Sequence, residues 1–314
     1  MKTKITELLG IKYPIFKGAM ASISDGKLAA ASSNAGGLGI IATGSYDAAW
    51  LEEEIAICKK LTDKPFGVNI IVQNQHAPQL AQLVADKRVD VVTTGAGSPK
   101  GFLPLLLDAG CKVIPVIANV SMATKMTAAG VSALIAEGHE SGGFVGDLTT
   151  MALLPQVRDA TNLPVIAAGG IADGRQAAAA FLMGADAVQI GTRFLVAHEC
   201  DIPQVYKDKV IAASDTETMV TGRRLKSAVR ALRSPLTIKF AEMEADNNVS
   251  DEELAKFATG ATSYAAIEGN FEKGSFCAGQ VAGMIKKEQS SADIIEEIME
   301  EMKVVLKNAP KIVS

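Results

Sequence analysis

PVIAAGGIADG (164–174) and AVQIGTRF (187–194) each begin as a short β-branched or apolar run, end in glycine, and pass into a helix-length segment. Working outward from this pair, six earlier runs are likewise β-branched or apolar and lead into a helix-length segment: PIFKG (14–18), LGIIATG (38–44), FGVNII (66–71), VDVVTTG (89–95), CKVIPVI (111–117) and ALIAEG (133–138). Most are continuous rather than alternating, as parallel strands buried on both faces require. Their spacing of about 20 to 30 residues holds a strand, a loop and a crossover helix. The pattern predicts an α/β protein, a (β/α)8 barrel. An open doubly wound sheet would need a G-x-G-x-x-G loop after an early strand, and neither NAGGLGII (34–41) nor TGAGSPKG (94–101) has that spacing.

In such a barrel an anion commonly sits at the loops after the seventh and eighth strands, where backbone N–H groups converge. Gly169 and Gly170 stand in the first of these loops and Gly191 and Thr192 in the second. Small residues in both predict a phosphate site.

Composition sets the remaining bounds. The chain has 314 residues, 48% hydrophobic but only 5% aromatic, and a net charge of −4. Nothing global therefore points to nucleic acid or anionic lipid. MKTKITELLG (1–10) lacks the apolar run of a signal peptide, and no stretch reaches the ~20 apolar residues that a bilayer needs. A cytoplasmic protein without membrane contact is expected. Cys58, Cys111, Cys200 and Cys277 form no C-x-x-C pair, and His76, His139 and His198 have no i, i+4 partner, so neither disulfides nor a metal centre are expected.

Residues 1–199 read as the eight strands with the phosphate site. Residues 200–272 read as a small, mainly helical insertion on the substrate side, and 273–314 as the helices that complete the barrel. In the last part, SSADIIEEIMEEMKVVLKN (290–308) is amphipathic, with Ser and Asp at its N-cap.

GGLGII (36–41), TDKPFGVN (62–69), TTGAGSP (93–99), AEGHESGG (136–143), IAAGGIADG (166–174) and QIGTRF (189–194) together resemble the nitronate monooxygenase and flavin-dependent enoyl-acyl-carrier-protein reductase superfamily over nearly the whole chain. KPFGVN, EGHESGG and KGSFCAGQVAG (273–283) make the reductase branch look nearer. The resemblance implies FMN, NADH or NADPH as electron donor, an acyl carrier protein or acyl thioester as partner, and a homodimer. It places Gly18, Ala19 and Met20 beside the flavin ring, with Thr43, Gly44 and Asn69 as polar contacts. Thr94 and Gly95 follow from the fourth strand, Glu137 and Gly142 from the sixth. Ala168, Gly169, Gly170, Gln189, Gly191 and Thr192 come from the last two.

One position departs from that pattern. The superfamily's sixth-strand motif ends E-x-G-G-H, and its histidine is assigned to catalysis, but HESGGFVG (139–146) puts Phe144 there. A phenyl ring can neither donate nor accept a proton. His139, in the same loop, is the expected substitute, with His76 the second candidate and His198 outside the site. Arg223, Lys226, Arg230 and Arg233 fall at helical spacing, which predicts a basic helix face suited to an acyl carrier protein or a nicotinamide diphosphate. Three functions follow: an FMN-dependent enoyl thioester reductase, a nitronate monooxygenase, or, because of Phe144, a flavin-binding protein with little turnover.

Overall fold

The computed structural model describes residues 1–312. Ile15–Lys17, Gly39–Ala42, Phe66–Ile71, Val91–Gly95, Lys112–Ile117, Leu134–Glu137, Val165–Ala168 and Ala187–Ile190 are the eight strands, all parallel. Each of the eight runs read from the sequence contains one of them. The last strand pairs with the first through Ile15↔Val188, and a bridge between Phe16 and Leu38 joins first to second, which brings the sheet round into a barrel.

Alternation along the strands divides the core in two. Phe16, Ile40, Val91, Ile114, Ile135, Ile166 and Ala187 form one cluster with Ile5 and Leu9 of the short N-terminal helix Lys4–Leu9. Their chain neighbours Ile15, Ile41, Val92, Val113, Leu134, Val165 and Val188 belong to the cluster shared with the helices. The first set fills the barrel and the second lies under the helical layer. The final helix, Ser291–Asn308, buries Ile294, Ile295, Ile298, Met299 and Met302 between helices Gly26–Asn34 and Gly174–Leu182. Its N-cap is Ser290, whose Oγ accepts from the Asp293 amide. It closes the helical layer.

The segment after the eighth strand differs from expectation. Besides helices Gln204–Ala212, Pro235–Ala245, Asp251–Phe257 and Ala261–Ala266 it holds a hairpin, Thr218–Thr221 with Val229–Leu232. The second hairpin strand pairs antiparallel with Gly143–Phe144 in the loop after the sixth barrel strand. The basic helix face therefore does not form. Arg230 lies within a strand and Arg233 just after one, and the next helix starts only at Pro235, with Ser234 as its cap. The charges diverge: Arg223 pairs with Asp147, Lys226 sits at the cavity described below, Arg230 turns inward, and Arg233 points to the Thr216 carbonyl. Helical spacing of charges was misleading because the residues between them, Ala228, Val229, Ala231 and Leu232, are a strand's apolar run.

Lys17, next to inward-facing Phe16, faces the helical layer and is fully buried, its Nζ donating to the Ile40 carbonyl at 2.6 Å. Burial pulls its pKa down to about 7. Between about 7 and the unfolded-chain value of 10.5, the unfolded lysine is protonated while the native one is not. The unfolded state then binds more protons, so stability rises with pH across that window. The buried thiols of Cys58 and Cys200, pushed up to about 12, act oppositely only above about 9, where an unfolded thiol ionises. Urea unfolding between pH 7 and 9 is expected to show a rise in the wild type that Lys17→Met flattens. Equal slopes in the two proteins would remove Lys17 as the cause.

Candidate active site

A cavity of about 470 Å3 opens at the C-terminal ends of the strands. Its floor is the next inward rung above the filled barrel: Gly18, Asn69, Gly95, Glu137, Ala168 and Gln189 all line it. Asn69 is buried, and its Nδ2 donates to Thr93 Oγ1 at 2.9 Å on the neighbouring strand, which leaves its Oδ1 for a ligand. Ala19 and Met20 continue one wall.

The two glycine loops meet across this cavity. Gly169 and Gly170 take successive left-handed conformations, φ +87° and +74°, which glycine adopts without strain. A Cβ on Gly169 would fall 2.7 Å from the Gly138 carbonyl, so the loops after strands six and seven touch backbone to backbone. Gly191 is different: a Cβ there would meet nothing within 4 Å. Its bareness serves no contact within the protein, and it leaves the cavity backbone open to an anion. Thr192 is buried, with its Oγ1 accepting from the Gly279 amide at 2.9 Å. These loops fit a phosphate.

Of the residues expected at the site, Gly18, Ala19, Met20, Asn69, Gly95, Glu137, Gly142, Ala168, Gly169, Gly170, Gln189, Gly191 and Thr192 line the one cavity. Gly142 also owes its identity to packing, since a Cβ would lie 2.7 Å from Ala278. Thr43, Gly44 and Thr94 do not line it. Thr94 follows inward-facing Thr93, and Thr43 shares the outward parity of Ile41, so both hydroxyls are buried on the helical side, where neither finds a partner. The Gly44 carbonyl is taken by Asn74 Nδ2.

His139 is also off the cavity. Its Nδ1 lies 2.6 Å from the Gly146 carbonyl, its own carbonyl accepts from Arg230 Nε and Nη2, and it braces the loop instead of facing a substrate. His76 sits at the N-terminus of helix Ala77–Asp86 with its ring beside Gln75, and neither it nor His198 lines the cavity. The Phe144 ring does line it, at the mouth and 46% exposed. Burial raises the Glu137 carboxyl to about 7, opposed only by a hydrogen bond from Ser141.

The sequence reading missed Ser141, Tyr206, Lys226, Val229 and Cys277 on the wall. Tyr206, fully buried, donates from its hydroxyl to the Cys277 carbonyl at 2.8 Å. The KGSFCAGQVAG motif was a usable signal for Cys277. Nothing local marks Tyr206, and Lys226 was expected on a basic helix face instead; their helix and turn reach the mouth only through tertiary packing.

A family model described as "Nitronate monooxygenase" matches residues 2–82 and 77–301. The chain belongs to the nitronate monooxygenase family. The structure of FabK from Thermotoga maritima superposes with a TM-score of 0.96 at 44% identity, over 99% of each chain. A (3aS,4S,5R,7aS)-5-hydroxy-7a-methyl-1-oxo-octahydro-1H-indene-4-carboxyl-CoA dehydrogenase of Rhodococcus jostii is 32% identical over 95% of each chain. A probable nitronate monooxygenase of Staphylococcus saprophyticus is 29% identical over 98% of this chain and 99% of its own length. As a member of this nitronate monooxygenase family, the chain is a flavin-dependent oxidoreductase. No helix among the described residues is long and apolar enough to cross a membrane.

Proposed function

We propose that the protein is an FMN-dependent reductase of 2-enoyl thioesters, drawing on NADH or NADPH in the cytoplasm and acting on acyl carrier protein or a similar acyl thioester, as a homodimer. The observation that carries this reading is the extent of apolar wall continuous with the phosphate loops. Ile71, Val116, Met122, Phe144, Val229 and Val281 line the same cavity, more apolar surface than a small nitronate needs. The 44% identity with FabK supports it.

The backbones at Gly169, Gly170, Gly191 and Thr192 would hold the FMN phosphate, a single terminal phosphate suiting two bare loops. Gly18, Ala19, Met20 and Gly95 would flank the ring, and Asn69, fixed by Thr93, would present its Oδ1 to it. FMN supplies the hydride chemistry when bound. The chain orients the thioester along the apolar wall, and the hairpin over the mouth excludes water.

The family match itself favours a second reading, oxidation of a nitronate. Anaerobic stopped flow separates the two. Rapid bleaching of the flavin by NADH or NADPH, then return of colour on adding crotonyl thioester, is the expected result. Bleaching by a nitronate alone would replace the reductase with a monooxygenase, and bleaching by none of them would leave a flavin-binding protein.

A further inference from the structure

Phe144 cannot supply a proton and His139 faces away, yet an enoyl reduction needs a proton at the α-carbon. Glu137 stands where one is available. It ends the sixth strand on the inward rung, lines the cavity, and is joined there by Ser141. Ser141 Oγ lies 3.2 Å from Glu137 Oε1 and 3.4 Å from the Phe144 carbonyl. A hydroxyl has one proton to give. Given to Glu137 Oε1, it favours the carboxylate and fixes that group at the cavity wall.

The ionisable neighbours are otherwise engaged or apart. Glu140, on the same loop, accepts from the Thr150 amide at 2.9 Å, at the start of helix Thr150–Ala160. Arg230, on the hairpin strand packed against that loop, donates to the His139 carbonyl, and the His139 ring is on Gly146. The Tyr206 hydroxyl, from the first helix after the barrel strands, donates to the Cys277 carbonyl, and the Cys277 thiol lies 3.8 Å from Ser275 Oγ. Lys226 lies on the hairpin turn at the mouth. No ion pair to Glu137 is present among the described residues, and burial keeps its carboxyl protonated up to about 7.

We propose that Glu137 is the proton donor of the reduction, in place of the imidazole that Phe144 replaces. This rests on the reductase reading. With a hydride supplied by bound, reduced FMN, its electron pair would form the new C–H bond at the β-carbon as the C=C π bond breaks. That π pair takes the Glu137 proton at the α-carbon, the O–H bond breaks, and the carboxylate left behind is reprotonated from solvent at the mouth. Ser141 is a positioning residue for this group.

Three measurements test it. In stopped flow, Glu137→Gln is expected to slow reoxidation of reduced flavin by crotonyl thioester by ~100-fold to ~10,000-fold, with reduction by nicotinamide little changed. The wild-type transfer rate is expected to fall above about 7, and Ser141→Ala to move that fall to higher pH, because it removes the hydrogen bond that favours the carboxylate. Infrared difference spectra of the flavin-loaded enzyme without substrate should show a protonated carboxyl band that bleaches near pH 7 and is missing in Glu137→Gln. Should that variant lose its flavin, the Ser141→Ala profile and the wild-type spectrum decide. An unchanged transfer rate in Glu137→Gln, an unmoved profile in Ser141→Ala, or no such band overturns the assignment. Failure of the reductase reading looks different: the wild-type flavin itself is not reoxidised by thioester, and the assignment falls with it.

Discussion

Gly191→Val is expected to fold normally and to purify without colour. Gly191 has φ −107°, outside the left-handed region, and its Cβ direction is empty to 4 Å, so the protein has no objection of its own to a side chain. Only a ligand drawn against that backbone would be displaced. Losing two charge-assisted hydrogen bonds to a phosphate at about 1.5–3 kcal/mol each lowers FMN affinity by ~100-fold or more. Riboflavin, which has no phosphate, should lose much less, so titrating both into flavin-free protein isolates the phosphate contribution. Gly170→Val is the contrasting case: at φ +74° and 3.2 Å from the Glu140 Cβ, it should lose stability along with flavin. Wild-type FMN affinity in Gly191→Val would remove the phosphate from this loop.

Arg230→Met is expected to loosen the mouth while sparing the barrel. Arg230 is 4% exposed, and its guanidinium donates from Nε and Nη2 to the His139 carbonyl and from Nη1 to Thr218 Oγ1, and so ties hairpin to loop. Burial lowers its pKa, an unfavourable contribution that methionine would not carry, so the net loss should be about 2 kcal/mol rather than the full value of three charged hydrogen bonds. Hydrogen exchange should quicken at 138–146 and 218–232, with the barrel strands unchanged, and KM for the thioester should rise more than kcat falls. Unaltered exchange at 143–145 would show that Arg230 is not what holds the rim.

The strands were legible because each is a largely buried apolar run, most of them closed by a small residue, a local signal that tertiary context had no reason to override. The two glycine loops at the cavity were legible for the same reason. Thr43 and Thr94 were misplaced although the necessary information was present: once Asn69 faces inward, its ladder partner is Thr93, so Thr94 must face out. Parity along the strand outranks likeness of motif. The hairpin was not legible, since Arg230 and Arg233 satisfy helical spacing as well as they satisfy a strand and its end. What decides between them is pairing with Gly143–Phe144, a contact with no local trace. Glu137 was found as a cavity residue, but its protonation depends on enclosure by walls drawn from both ends of the chain.

The pairing of Val229 with Phe144 also bears on how the site comes into being. Chain emerging during synthesis can complete all eight barrel strands, and with them the Gly169–Gly170 loop, before the hairpin exists. The stretch from Ser141 to Phe144 must wait for a partner made much later, a non-local closure of the kind that forms slowly. Flavin capture and substrate selection are thus separable in time. A cut in the turn between Thr221 and Val229 would unseat the rim and spare the cradle, leaving a yellow protein that no longer chooses what reaches it.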